Sequence, residues 1–384
     1  NISKSLIQER LGSNMLQWQS MMQEFRDEWV GIKESRRVEI HINSMSYTSN
    51  VNCTVSKFNE KQNNQMSRLI ALKDPNVEIV YVSPFTLPED VVNYYFSILS
   101  TIGVTNIKER VHFIIPDAID SLPTYFNLAS LLFFSTNACK RIMNIIEGKK
   151  AYIVPGMPSS ADMRLSLYLE CPILYIENEA SSALFTKSGA KRVFEICELA
   201  TPIGEWDIRG RDVLFPKLAS LIANYSSIDV WILKIDNEFA GRGTAYFQIN
   251  RSKHLVDLKK DRQMGNVEPD KYETLVEGIL RSTLHKKMEV VSKNIYKSGE
   301  EFISELIKSG GIIEACPTFL LSGIIGSPAV SFFIEPDGNI NQYISYDKVS
   351  ANYFNTIAAI SPQNSIPNLN IKLMVDKIGN YLYQ

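Results

Sequence analysis

The stretch Lys234-Ile-Asp-Asn-Glu-Phe-Ala-Gly241-Arg242-Gly243-Thr244 lies between two strand-like runs, Val230 to Ile235 and Ala245 to Ile249. It reads as a hairpin with glycines at its tip. Without a Cβ, Gly241 and Gly243 let backbone N–H groups approach an anion closely. Lys234, at the end of the first strand, can meet a phosphate as a point charge, and Arg242 can add a donor fork above it. A plain surface hairpin with a Gly-x-Gly turn has the same pattern. The loop is neither a Walker A, since no Gly-Lys-Ser/Thr is present, nor a Rossmann fingerprint. Its surroundings therefore carry the decision.

Upstream, Thr186-Lys187-Ser188-Gly189-Ala190-Lys191-Arg192 opens a helix. Cations beside a helix N-terminus make an anion site, although a solvated basic helix start looks alike. Downstream, Gly310-Gly311-Ile312-Ile313-Glu314-Ala315-Cys316-Pro317 is an apolar strand with an acid near its end. An adenine ring needs an apolar slot and one or two backbone hydrogen bonds, which such a strand end supplies. A core strand with one solvent-facing Glu fits as well. Pro336-Asp337-Gly338-Asn339 between Val330–Ile334 and Ile340–Ile344 predicts a second hairpin. Residues 251 to 268 are polar and read as mobile.

Nearer the N-terminus the texture is different. Residues 1 to 36 read as helix, with Leu16, Met22, Phe25, Trp29 and Ile32 at roughly helical spacing. Val38 to Ile42 alternates like a strand, and residues 43 to 63 read as a polar loop. Strands are expected at Val77–Val82, Val111–Ile115, Ala151–Val154 and Ile173–Ile176, and helices at Leu87–Ser100, Asn127–Ile146 and Ala161–Leu169. This alternation predicts a parallel sheet with helices on both faces. The pattern changes near residue 180.

Composition narrows the classes. A hydrophobic fraction of 45% over 384 residues is enough for two or three domains with real cores. Forty Lys and Arg against 42 Asp and Glu argue against a general nucleic-acid binder. No run of about 18 apolar residues predicts a membrane span. The five cysteines, Cys53, Cys139, Cys171, Cys197 and Cys316, are scattered and lack a Cys-x-x-Cys pair. They read as free, mostly buried thiols of a reducing, cytoplasmic setting. The four histidines have no metal-ligand spacing. The chain opens on Asn1 without an apolar leader and reads as an ordered stretch of a longer protein.

Taken together, these pieces resemble the ATP-grasp family, in the peptide-ligase branch that carries a pre-ATP-grasp domain. The resemblance rests on six segments in order: Val80-Tyr81-Val82-Ser83-Pro84; Tyr152 to Pro155 with Met163-Arg164-Leu165-Ser166-Leu167; Lys187 to Arg192; Lys234 to Gly243; Gly310 to Glu314; and Ser327 to Val330 with Pro336 to Gly338. It extends from about residue 38 to the end. The implied fold is α/β: a Rossmann-like pre-ATP-grasp parallel-sheet domain at 37–180 followed by an α+β ATP-grasp domain at 181–384, after an N-terminal helical segment at 1–36. The implied ligand is ATP, with Mg²⁺. Lys187 and Lys234 would hold the phosphates, Gly241, Arg242 and Gly243 would cover them, and Glu314 with the backbone of Ala315 and Cys316 would meet the adenine.

The opening helix followed by Arg36-Arg37-Val38-Glu39-Ile40-His41-Ile42 further resembles an IQ-motif-containing group of ATP-grasp-like proteins from sperm and motile cilia. That implies ciliary or axonemal partners and a calmodulin-type partner, although Ile7-Gln8-Glu9-Arg10-Leu11-Gly12 is only part of an IQ motif. The family's catalysts hold Mg²⁺ with late carboxylates and an Asn. That motif follows a helix like Leu369–Tyr383, where this sequence stops, so catalytic and metal residues are left unassigned. Two functions compete. One is a nucleotide-binding module serving a ciliary assembly as a structural or regulatory part. The other is an active ATP-dependent carboxylate–amine ligase working through an acyl phosphate. A scaffold with a vestigial pocket is a third.

Overall fold

The computed structural model describes residues 4–47, 55–117, 119–175, 184–316, 327–351 and 355–384. The chain is α/β and divides into two compact units, Asn1–Ser181 and Ser182–Gln384.

The first unit is built on four parallel strands: β1 (Arg37–Met45), β2 (Val77–Val82), β3 (Val111–Ile114) and β4 (Lys150–Met157). Their order is β3-β2-β1-β4, so the chain winds one way from β1 and then returns to its other side. Helices α1 (Lys4–Asp27), α2 (Trp29–Glu34), α3 (Phe58–Asn63), α4 (Glu89–Thr101), α5 (Ile107–Arg110), α6 (Leu128–Phe133), α7 (Thr136–Ile146) and α8 (Ser160–Leu169) accompany them. Trp18, Met22, Phe25, Trp29 and Ile32 form the buried stripe of the opening helices, whereas Leu16 is exposed. The helix breaks once, at Glu28.

Several expectations need correction here. The span Asn127–Ile146 is two helices, divided at Ser135, whose N–H bonds Leu132 O at 2.8 Å, three residues back, while its hydroxyl donates to Leu131 O at 2.7 Å. Asn127 caps the first, accepting from Ser130 N at 2.8 Å. Ile173 makes only an isolated bridge to Ile153, and Ile176 lies outside the described residues. The supposed loop from residue 43 begins inside β1 and contains α3, while residues 48–54 lie outside the described residues.

The second unit contains α9 (Lys187–Ile196), β5 (Gly204–Glu205), α10 (Arg211–Asn224), β6 (Val230–Ile235), β7 (Thr244–Gln248), α11 (Lys253–Gln263), α12 (Pro269–Lys287), β8 (Glu289–Val290), α13 (Gly299–Ser309) and β9 (Gly311–Ala315). Its antiparallel sheet has the order β5-β9-β6-β7-β8. Three more strands, β10 (Pro328–Ile334), β11 (Ile340–Ala351) and β12 (Asn355–Ile360), form a separate antiparallel sheet, and α14 (Asn368–Tyr383) packs on it. The expected hairpin at Pro336–Asn339 joins β10 to β11.

On one face of the larger sheet, Trp231, Leu233, Ile235 and Phe247 pack with Phe215 and Leu218 of α10, Val276 and Leu280 of α12 and Phe302 of α13. Burying each such side chain contributes about 1.5–3 kcal/mol. Residues 253–263 are helical rather than mobile: Leu255 is buried in this core, Arg262 donates to Ala223 O at 2.8 Å, and its guanidinium lies over the Tyr272 ring.

Among the described residues, Cys139, Cys171, Cys197 and Cys316 are buried free thiols. No described helix is long and apolar enough to cross a membrane.

Candidate functional site: a lysine cluster at the end of β6

Alternation along β6 separates two environments. Trp231, Leu233 and Ile235 enter the helical core, while Val230 and Ile232 join Cys316 and Tyr246 in a small apolar cluster on the other face. Lys234 continues the Val230–Ile232 row. In the ladder Lys234 stands beside Ile312 and Ile232 beside Glu314, so Glu314 is the diagonal neighbour of Lys234 on the same face. The Lys234 ammonium bonds Glu314 Oε1.

Helix α9 supplies the other cations. Thr186 caps it by accepting from Gly189 N at 2.8 Å. Ser188 fastens the first turn to the β6 end, its N–H and hydroxyl both donating to Asp236 Oδ1 at 2.8 Å. Lys187 then reaches the carbonyls of Ile235 at 2.7 Å, Asp236 at 3.4 Å and Glu238 at 2.5 Å. One turn further, on the same helix face, Lys191 pairs with Glu314 Oε2 at 2.9 Å. Arg192 points elsewhere, to an exposed pair with Asp207 at 2.6 Å.

Three lysines thus gather near one carboxylate. Burial pushes the Glu314 carboxyl up, but Lys234 and Lys191 more than offset this and hold it below the ordinary carboxylate range. Burial, followed by the charge of Lys234, lowers Lys187 to about 8, against the opposing pull of Asp236, Glu238 and Glu314. The Lys191 and Glu314 side chains are 9% and 8% exposed and that of Lys234 is 27% exposed, so the cluster opens to solvent through Lys234.

The two glycines of the loop serve different purposes. Gly241 has φ 75°, in the left-handed region. Gly243 has no room for a Cβ, which would run into the Glu238 side chain. Arg242 folds back onto its own loop, donating to Glu238 Oε2 at 2.9 Å and lying over the Phe239 ring. Tyr296 holds the other Glu238 oxygen at 2.9 Å. Ala315 N–H donates to Ile203 O at 2.7 Å and Cys316 N–H to Val230 O at 2.9 Å, so both N–H groups are engaged within the sheet. Burial raises the Cys316 thiol, although Lys234 pulls it down.

Sequence reasoning gave Lys191 only as one cation of a basic helix start. Its spacing of four from Lys187 was the available signal. The Ser188–Asp236 and Tyr296–Glu238 supports had none. Among the described residues no group of three His, Cys, Asp or Glu side chains could hold a metal ion.

The α/β fold and the lysine-lined hairpin define the class: the chain belongs to the family described as IQCH-like, ATP-grasp, which matches residues 178–384. It is 30% identical over 358 residues to IQ motif-containing protein H of Danio rerio, an alignment covering 88% of this chain and 33% of that protein. The chain thus spans about a third of the length of this curated relative. Among solved structures, it is similar to the biotin carboxylase domain of Hydrogenobacter thermophilus 2-oxoglutarate carboxylase in complex with MgADP, ADP and bicarbonate, with TM-score 0.45 and 12% identity over 91% of this chain and 58% of that one. A biotin carboxylase complex from Campylobacter jejuni gives TM-score 0.45 and 13% identity, over 91% and 60% of the two chains.

Proposed function

We propose that this chain is a nucleotide-binding module that takes ATP at the lysine cluster and serves a larger assembly as a structural or regulatory part. The observation that carries this reading is the gathering of Lys187, Lys191 and Lys234 beside a single bonded carboxylate, Glu314, at the end of β6. Lys191 and Lys234 share that one carboxylate, and phosphate oxygens are the natural complement of the remaining positive charge. The loop 236–243, with Gly241 and Gly243, would cover them, and the β9 end at Ala315 and Cys316 would meet the base. The unit at 1–181, with its parallel sheet, would be the pre-ATP-grasp domain.

Carboxylate–amine ligation is the second reading, supported by family membership. Phosphoryl transfer from ATP needs metal to neutralise charge on the β- and γ-oxygens. The test is calorimetric titration of the chain with ATP, with and without Mg²⁺, beside an assay of ADP release. Binding without turnover is the expected result. Metal-dependent ADP release well above background would turn the reading to ligase, and absence of binding would reject both.

Ciliary and axonemal partners and a calmodulin-type partner belong to the same proposal. They are supported by the relative's name and by Ile7–Gly12, which lies on α1. Pull-down with calmodulin, with and without Ca²⁺, tests the latter; a chain lacking residues 1–13 should lose the interaction.

A further inference from the structure

Glu314 is an anion already seated between two of the lysines that a phosphate would need. Each of its oxygens has its own ammonium: Oε1 meets Lys234 and Oε2 meets Lys191. The contact is nearly dry, with Lys191 and Glu314 both buried. Lys234 has no other hydrogen-bond or ion-pair partner among the described residues. Its more exposed amine is therefore the point at which an incoming anion first arrives, and the carboxylate stands directly behind it.

On the nucleotide reading of this cluster, we propose that Glu314 is an internal competitor of phosphate, displaced from the lysines by ligands that carry two or three linked phosphate groups. A monoanion or a single phosphate exchanges one oxygen-based anion for another and gains little. A di- or triphosphate brings several charges on one chain and can engage Lys191 and Lys234 together, with Lys187 close by. The device thus selects nucleoside di- and triphosphates over monophosphates and small anions. It also keeps the buried Lys191 and the partly exposed Lys234 paired when no ligand is bound, where a lone buried charge would be costly. If Glu314 were instead an adenine contact or a needed anchor for the lysines, its removal would weaken binding. Displacement requires the opposite sign.

The whole chain is titrated calorimetrically with sodium tripolyphosphate, ATP and AMP, without added metal. Wild type is compared with Glu314→Gln and with the double variant Lys191→Met/Glu314→Gln. The double variant keeps one cation, Lys234, with no internal anion, and so the same net charge among these three groups as wild type. It guards against misfolding of the single variant, and circular dichroism checks both folds. In both variants tripolyphosphate and ATP should bind about ten-fold more tightly or better, the scale of one charged hydrogen bond no longer broken. The preference of ATP over AMP should shrink. Equal or weaker tripolyphosphate binding by the folded double variant overturns the inference while leaving the nucleotide reading intact, provided wild type binds ATP in competition with tripolyphosphate. If wild type binds neither, both fall together.

Discussion

Each unit carries buried charges on a central strand, and the two arrangements have opposite characters. On β1, Arg37 donates to Tyr152 OH at 3.3 Å and to Asp74 at 2.8 Å, and lies 3.5 Å from Glu39. Glu39 in turn accepts from Tyr152 OH at 2.7 Å and faces His41 Nε2 at 3.2 Å. Burial, with Arg68 nearby, lowers the pKa of His41 against the pull of Glu39, so the ring stays neutral at pH 7. Here one arginine meets two acids, Glu39 buried beside it and Asp74 partly exposed. On β6, Lys191 and Lys234 share one carboxylate, Glu314, and Lys234 is partly open, while Lys187 lies near Asp236 and Glu238 as well. The first arrangement is paired from within, apart from His41 Nδ1, which has no hydrogen-bond partner among the described residues, and it builds a fold. The second has a cation excess that an outside anion can satisfy. Buried charge alone does not mark a site; its imbalance and its opening to solvent do.

The sharpest way to break this contrast is Glu39→Ala. It would leave Tyr152 OH and His41 without their acceptor and Arg37 with one acid fewer. Removing one partner of a buried network costs about 3–5 kcal/mol. Urea unfolding with hydrogen exchange at β1 reads the loss. A change below about 1 kcal/mol, the scale of a surface pair, would show that the network is not sealed.

The lysine cluster should respond in binding rather than in folding. Losing a partly desolvated lysine–phosphate contact costs about 1.5–3 kcal/mol. In the Glu314→Gln background, where no internal anion has to be displaced, Lys234→Ala should therefore weaken ATP roughly ten-fold or more while the sheet stays folded. Unchanged affinity in a folded variant would remove Lys234 from the site.

These two regions also differ in how far the sequence reveals them. The parallel strands are legible because Val77–Val82 and Val111–Ile114 are short apolar runs beside prolines. The buried charge on β1 is not legible. Arg37, Glu39 and His41 alternate with Val38, Ile40 and Ile42, which reads as a strand with one wet face, yet both faces are buried. Only Tyr152, 113 residues away, and Asp74 explain the polar face. Lys187 and Lys234 could be singled out because one opens a helix and the other ends a strand before glycines. Nothing local joins Lys191 to Glu314, whose meeting depends on a strand paired from 80 residues beyond Lys234. The break at Ser135 is likewise unmarked in the sequence, and shows only in the backbone bond from its N–H to Leu132 O.

A pH series sharpens the contrast further. The folded pKa of Lys187, about 8, lies below the ordinary 10.5. As pH rises, the folded chain gives up this proton first. Between the two values the unfolded chain holds more protons, so the contribution of Lys187 to stability increases with pH. Binding moves the other way, because the ammonium is lost above about pH 8. ATP affinity should fall by up to about ten-fold per pH unit there, the limit for one linked proton. Lys187→Met should flatten this dependence. A wild-type affinity that stays level from pH 7 to 9 would place Lys187 outside the phosphate contacts.

The smallest effect comes from a pair that is neither buried nor unbalanced. Lys150, at the start of β4, bonds Glu28 at 3.0 Å, with the two side chains 44% and 63% exposed. The pair ties the junction of α1 and α2 to the sheet, a placement that looks structural in a contact map. In water, however, the Coulomb gain is small and two long side chains must be ordered to obtain it. Such pairs contribute about 0.2–1 kcal/mol. Glu28→Gln should therefore change the urea midpoint of the first unit only slightly. Even that change should disappear in about 1 M salt, where screening acts over roughly 3 Å. Glu39→Ala should keep most of its effect in the same salt, because Glu39, Tyr152 and His41 are buried away from ions. If Glu28→Gln proved as costly as Glu39→Ala, burial would not be what separates a structural charge from an incidental one.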